Sequence, residues 1–458
     1  MSGGATAAPV TDRRANRAAW ATFAVFALNG LVFANWVSRF PAVRDALDLS
    51  PSRLGMLLLV GSLGSVVALP LTGAVVQRLG TARTAGLAAT LNVGCFALVA
   101  LAVGAGEIAW LVPALFVAQV GIAAWDVAMN IEGGAVERAL GRAIMPRFHA
   151  GFSLGTVAGA GMGALAAWAG ISVTVHLLCV LALIWVAVLV CLRGFLPEQP
   201  VPPAPRSPRS GEPGRGARRG GLRQALSAWT EARTLLIGGV VLAAALTEGA
   251  ANDWLALAVV DGFDQPDAVG AAGFGIFVAA MTGMRLAGTS LLERYGRVPV
   301  LRLCSVLATV GLVTFALAPW LGLAVAGAVL WGVGAALGFP VGMSAASDEP
   351  LRAAARISVV SSIGYTAFLA GPPLLGLLAE HVGYRHALLA IAVPLVLGIV
   401  LTPAARPIGP AGARPPAVGP GARAAEPGAP GPGVGAPGPG VAVPGAGDVT
   451  GRGAGSRP

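Results

Sequence analysis

Long oily runs broken by short polar stretches set the rhythm of this chain. Apolar runs of about 20 residues recur, each long enough to cross a hydrocarbon core about 30 Å thick as a helix. The pattern predicts twelve spans, at roughly 18–38, 54–77, 84–103, 108–131, 149–169, 172–192, 234–259, 269–292, 299–318, 321–343, 357–379 and 386–403. The first is too long for a cleaved signal segment, and NWVSRFP at its end offers no small-residue cleavage site. Two stretches break the rhythm. PEQPVPPAPRSPRSGEPGRGARRGG reads as a Pro/Gly/Arg linker. The C-terminal stretch repeats GAPGPGV from Gly428 and from Gly435, lacks a strict Gly-X-Y period and reads as disordered. The expected organisation is a tail 1–17, a six-helix bundle 18–193, a basic linker 194–233, a second six-helix bundle 234–403 and a Pro/Gly/Ala-rich tail 404–458. The fold class is therefore all-α membrane protein, with twelve transmembrane helices in two pseudo-symmetric halves.

Composition supports this. The chain is 55% hydrophobic and only 11% charged, against about 25% charged in globular domains. The net charge of +10 does not mark a nucleic-acid binder, because the basic residues lie in loops and tails and not along one folded face. All of them are arginine: the chain contains no lysine. A Walker-type phosphate loop and Schiff-base chemistry are thereby excluded. Cys95, Cys179, Cys191 and Cys304 lie in apolar runs at no metal or disulfide spacing and read as packing residues. No clustered nucleophile and base, metal-ligand set or cofactor motif appears, so an enzyme is not expected. With the N-terminus in the cytoplasm, 26 arginines fall in inside segments and 4 in outside loops, leaving Arg285 within a span. The bias predicts a multi-pass protein of the cell inner (plasma) membrane with both termini and the linker inside.

The chain also repeats itself. QRLG at Gln77–Gly80 returns as ERYG at Glu293–Gly296, an offset of 216. LSPSRLG ending at Gly55 is echoed by DQPDAVG ending at Gly270, and Asn35-Trp36 by Asn252-Asp253-Trp254. GAVVQRLG from Gly73, GALAAWAG from Gly163 and GLLAEHVG from Gly376 share one glycine frame at alternate ends of spans. Inverted three-helix repeats nested in two halves produce such echoes.

Six spans, a basic linker and six spans over residues 18–403 resemble the major facilitator superfamily. The loop signature G-x-L-A-D-R-x-G-R of that family is matched by Gly73, Arg78 and Gly80, with Gln77 and Thr81 departing from it. The second copy keeps Glu293, Arg294, Gly296 and Arg297, with Gly288 one position early. NWVSRFPAVRDAL, WDVAMNIEGGAVE, MPRFHAGFSLG and EGAANDW look like segments of the YbjJ-like, or fucose-permease-like, branch. The resemblance implies a secondary carrier without specifying fucose, and it makes the two loop copies gating elements. The drug-antiporter Gly-Pro signature is missing from the fifth span.

Ionisable groups deep in spans are costly and are functional candidates. Glu248 lies past the middle of the seventh span, with Asn252 one helical turn on and Asp253 and Trp254 nearer the outside. Asp126, followed by Asn130, repeats the pattern in the fourth span. Spans 1, 4, 7 and 10 line the cavity in the resembling family, so both acids are expected to face it. Each is read as a titrating acid or as a carboxylate clamping helices. Arg285 either snorkels inward or pairs with a buried acid, Asp126 being the expected partner. Asn29 is a candidate substrate contact or an interhelical bond. Trp36 and Trp254 read as interfacial belt residues, with substrate stacking as the alternative. Glu132 and Glu137 fall at or beyond the inner surface, Glu137 beside Arg138, and His149 reads as a solvated cap. The stripe Gly151, Gly155, Gly159, Gly163 predicts close helix approach, and Gly371-Pro372-Pro373 predicts a broken or bent helix. The expected function is proton-coupled alternating-access transport of a small organic solute of unknown identity. The expected partners are that solute, protons and the lipid bilayer, with no nucleic acid, and the chain is expected to be a monomer. A non-transporting receptor or scaffold on a carrier fold is the alternative.

Overall fold

The computed structural model describes residues 12–141, 144–197 and 227–408. The tail before residue 12, most of the linker and the tail beyond Ile408 lie outside them. Seven helices form the first half: α1 (Asp12–Val37), α2 (Phe40–Ala46), α3 (Pro51–Leu79), α4 (Thr81–Ala105), α5 (Ile108–Leu140), α6 (Met145–Trp168) and α7 (Val173–Leu192). The second half holds α8 (Ala232–Phe263), α9 (Asp267–Tyr295), α10 (Arg297–Leu317), α11 (Leu321–Ala335), α12 (Gly338–Ala346), α13 (Pro350–Ala387) and α14 (Ala392–Leu401). Short helix α2 lies where the hydropathy pattern predicts a loop.

Among the described residues, eleven helical stretches are long and apolar enough to cross a membrane. The last, Ala355–Ala405, runs 51 residues, about 75 Å at 1.5 Å per residue and so more than one bilayer crossing. Gly383, at φ 75° and ψ 160°, breaks it into two, which makes twelve crossings. The break does not fall at Pro372-Pro373, where the helix continues. A proline in a membrane helix is tolerated when neighbours cover the freed backbone groups. Helix α3 packs closely on this stretch: a Cβ on Gly55 would meet the Pro372 carbonyl oxygen at 2.5 Å.

The glycine frame marks turns. Gly80, Gly170 and Gly383, which end its three copies, all have positive φ, as does Gly296. Gly80 (φ 79°, ψ 168°) and Gly296 (φ 80°, ψ 168°) adopt one conformation at equivalent helix junctions. That region favours glycine because a Cβ clashes there. Helix starts are local too: Ser50 accepts the Arg53 N–H at 3.5 Å and Ser172 the Val175 N–H at 3.3 Å.

The halves use the same pairings. α1 against α6 is matched by α8 against α13, α4 against α5 by α10 against α11, and α4 against α7 by α10 against α14. Between halves, α3 packs on α13 and α6 on α9. Lipid cannot drive apolar helices together, so close backbone contact must do so. The stripe on α6 does this: Gly151 and Gly159 face the Phe23 and Leu31 carbonyl oxygens of α1 at 3.0 and 2.8 Å from a would-be Cβ. α8 is the most interior helix, with 67% of its most apolar window buried, against 33% for α7. α7 and α14 turn Leu183, Val186, Leu397 and Val400 outward, as lipid-facing helices do.

Candidate polar site between the two halves

Span 10 is two helices, not one. α11 ends at Ala335 and α12 begins at Gly338. Pro340 explains the gap, since it has no N–H to offer the Ala336 carbonyl one turn back. That carbonyl accepts Arg285 Nε of α9 at 3.2 Å. Arg285 Nη2 meets Glu248 Oε2 of α8 at 2.8 Å, with side chains 28% and 21% exposed. One guanidinium therefore satisfies a half-buried acid and a broken helix. Irregular backbone at membrane depth is stable only where protein or water covers it.

The expected pairing of Arg285 with Asp126 is corrected here. Helices α8 and α9 are packed neighbours in one half, whereas Asp126 belongs to α5 in the other. Asp126 keeps only Asn130 on its own helix, which donates Nδ2 to the Asp126 carbonyl at 2.8 Å and to Oδ1 at 3.3 Å. Among the described residues no cation pairs with it. Tyr365 of α13 lies within its electrostatic reach, as His149 of α6 does for Arg285. His149 is exposed, as expected of a cap, and its ring also stands edge-on to Phe26, 5.3 Å away. Asn29 is 3% exposed, and its Nδ2 makes no hydrogen bond among the described residues. Asn252 and Asp253 are half-buried and likewise unpartnered among the described residues.

Trp36 and Trp254 are not belt residues. They are 4% and 1% exposed. Trp36 packs on Phe40 and Phe96, with ring centroids 5.2 and 5.4 Å away, and Trp254 stacks on Tyr384 at 5.5 Å. Their echo in the sequence marks matched packing anchors, one per half.

The polar ties between the halves gather at one end, opposite the start of α1. Arg44 of α2 pairs with Asp261 of α8 and with its neighbour Asp45, and lies 5.7 Å from the Tyr384 ring centroid. The Ser52 N–H donates to Glu380 of α13 at 3.0 Å. At the same end but within each half, Arg39 donates to the Ile171 carbonyl at 2.8 Å and Arg385 to the Gly262 carbonyl at 3.0 Å. Both carbonyls follow or end a helix, where cations are favoured. Burial lowers the Arg39 pKa, and Asp267 across the interface opposes that.

At the other end the polar ties among the described residues stay within each half. Arg297, just after Gly296, donates to Asp348 at 2.7 Å and to Ser344 at 3.0 Å. Asp348 also takes Arg233 at 2.8 Å. Thr81, just after Gly80, donates to Glu132 at 2.6 Å, and Glu132 accepts the Leu196 N–H at 2.7 Å. Thr81 to Arg297 and Glu132 to Asp348 keep the offset of Gly80 to Gly296. The two loop copies thus share one tie, and the acid in it is not Glu293. Glu293 and Arg78 make no tie among the described residues, a Cβ on Gly73 would meet nothing within 4 Å, and Arg294 lies over Tyr295. Burial pushes the carboxyls of Asp348 and Glu231 upward, but Arg297 and Arg233 for the first, and Arg356 with Arg352 for the second, outweigh it and hold both low. Glu137 accepts the N–H groups of Ile144 and Met145, both at 2.8 Å, and so caps α6. In DEPLRAAAR the acids Asp348 and Glu349 stand just before Arg352 and Arg356, the one local signal for this cluster.

The model of the Major Facilitator Superfamily matches residues 22–350 and 266–436. The chain belongs to that superfamily. A Sinorhizobium fredii protein named uncharacterized transporter y4wD is 33% identical over 82% of this chain and 95% of its own length. The membrane protein MosC of Rhizobium meliloti is 28% identical over 82% and 86%. Among solved structures, the nucleoside transporter NupG superposes with a TM-score of 0.64 at 16% identity, covering 85% of this chain and 98% of its own. A single-site variant of the E. coli fucose:proton symporter FucP gives 0.57 at 14% identity, over 84% and 98%. Together these likenesses establish the major facilitator fold and a membrane transporter.

Proposed function

We propose that this superfamily member is a secondary carrier that moves a small organic solute by alternating access, coupled to protons. The observation that carries the reading is the polar site itself. A mid-membrane Glu248–Arg285 pair braces a broken helix in one half, and an unpaired Asp126 stands in the other. Such groups are too costly in lipid to persist without water or substrate to face. The site includes Asn29, Asn130, Asn252 and Asp253 as candidate contacts. Ties such as Arg44–Asp261 hold one end of the interface, so a rocking motion that breaks them opens that end. The arginine-rich end faces the cytoplasm, with both termini there and the protein in the cell inner membrane as a monomer. The bundles 18–193 and 234–403 are the two rocking bodies.

In this scheme Asp126 takes and releases the proton, while the Glu248–Arg285 pair holds the broken helix beside the substrate. Solute-driven pH change in proteoliposomes tests it, with Asp126→Asn and Glu248→Gln measured separately. Each variant is expected to lose most of the proton signal. If both move protons like the parent, the site is misassigned. Saturable binding with no flux would instead identify a receptor on a carrier fold.

A further inference from the structure

The charge balance of the interior points to the substrate class, an inference that rests on the carrier reading above. Three acids lie within the spans: Asp126 on α5, Glu248 on α8 and Asp253 on α8. One guanidinium, Arg285, accompanies them and is already used by Glu248 and the Ala336 carbonyl. The chain has no lysine to add. Asp126 and Asp253, one per half, are left without a cation among the described residues. The other groups facing the site are neutral or weakly basic: Tyr365 opposite Asp126, Asn130 beside it, and His149 near Arg285.

A bound anion would find the Arg285 guanidinium engaged and would meet the Asp126 carboxylate, which no cation covers among the described residues. A neutral solute would leave that carboxylate uncovered. A solute with a positive charge completes the set, because opposite charges attract strongly where water is scarce. We propose that this carrier recognises small polar solutes bearing a protonated amine, with Asp126 as the ammonium-binding carboxylate. A proton and the amine then compete for one carboxylate. Amine binding releases the proton from Asp126, and amine departure restores it, so transport is amine–proton exchange.

The test uses the purified full chain with primary amines, each paired with its hydroxyl isostere: glucosamine with glucose, ethanolamine with ethylene glycol, 4-aminobutanol with 1,4-butanediol. Gluconate serves as the anionic control. Thermal stabilisation is read first, because a ligand that prefers the folded state raises its melting point. At least one amine is expected to stabilise the parent at tenfold or more lower concentration than its isostere. Asp126→Asn is expected to remove that preference, and Asp126→Glu, which guards against a folding defect, to retain part of it. Stabilisation by no amine, equal effects of an amine and its isostere, a stronger effect of gluconate, or a preference that survives in Asp126→Asn each overturns the proposal. Counterflow of the same compounds separates the two claims. Carriage of glucose without glucosamine refutes the amine class and leaves the carrier standing. Amine-selective stabilisation with no counterflow refutes the carrier and leaves the amine site standing.

Discussion

A methyl group added at two places on α6 should have opposite effects. Gly155 lies against α1: a Cβ there would sit 2.7 Å from the Ala27 carbonyl carbon and 3.0 Å from its Cα, and closer still to its oxygen. The obstacle is backbone, which cannot rotate away. Gly161, on the same helix, has nothing within 4 Å. Replacing a helix glycine by alanine gains about 0.5–1 kcal/mol from the stiffer unfolded chain. Gly161→Ala should show that gain unopposed. Gly155→Ala must also part α1 and α6, and overpacking costs about 1–3 kcal/mol. The net effect is a loss on the order of 1–2 kcal/mol, and Gly155→Leu should prevent folding. Graded unfolding of the purified variants in mixed micelles, read by tryptophan fluorescence, measures both. If the two alanine variants move stability in the same direction, close packing of α1 on α6 is not what the glycine stripe provides.

Three further outcomes follow from the geometry. Removing one partner of a buried ion pair costs about 3–5 kcal/mol, and the 28% and 21% exposure of Arg285 and Glu248 discounts this to about 1–3. Arg285→Met should cost that much and the double variant with Glu248→Gln less than the sum, whereas strictly additive losses would remove the pair from the argument. Because Arg297 and Arg233 depress the Asp348 pKa below its ordinary 3.8, the ties at Asp348 stabilise the fold above about pH 4 and are lost as the pH falls through the depressed value. The parent and Asp348→Asn should therefore differ in unfolding midpoint at pH 7 and converge in stronger acid, and a gap that persists at pH 2 contradicts this. Arg44→Ala should speed labelling of a cysteine placed at Asn252 by a membrane-impermeant thiol reagent added from the Arg44 end, in a chain whose four native cysteines are serines. Unchanged labelling would mean that the Arg44–Asp261 tie does not hold that end closed.

Each segment's own residues answer to what a bilayer demands of it separately. Span positions follow from apolar length, and the helical class follows because lipid offers no partners to an unpaired backbone. The repeated glycines announced the turns, since positive φ is a local property that tolerates little else: Gly80 and Gly296 share one conformation. Glu248 and Asp126 stood out because an acid in a long apolar run is conspicuous anywhere. Tertiary structure decided the partnerships. Arg285 could reach an acid on any neighbouring span, and the packing of α8 on α9 chose Glu248. The freed Ala336 carbonyl acquired its meaning only from the guanidinium beside it. Trp36 and Trp254 went inward because Phe40, Phe96 and Tyr384, distant or unremarked in the chain, met them there. Thr81 and Arg297 proved equivalent only through the acids opposite them, Glu132 and Asp348. Hydropathy and backbone conformation belong to single residues and short windows, whereas an ion pair or a ring contact belongs to two segments whose relative placement no window contains.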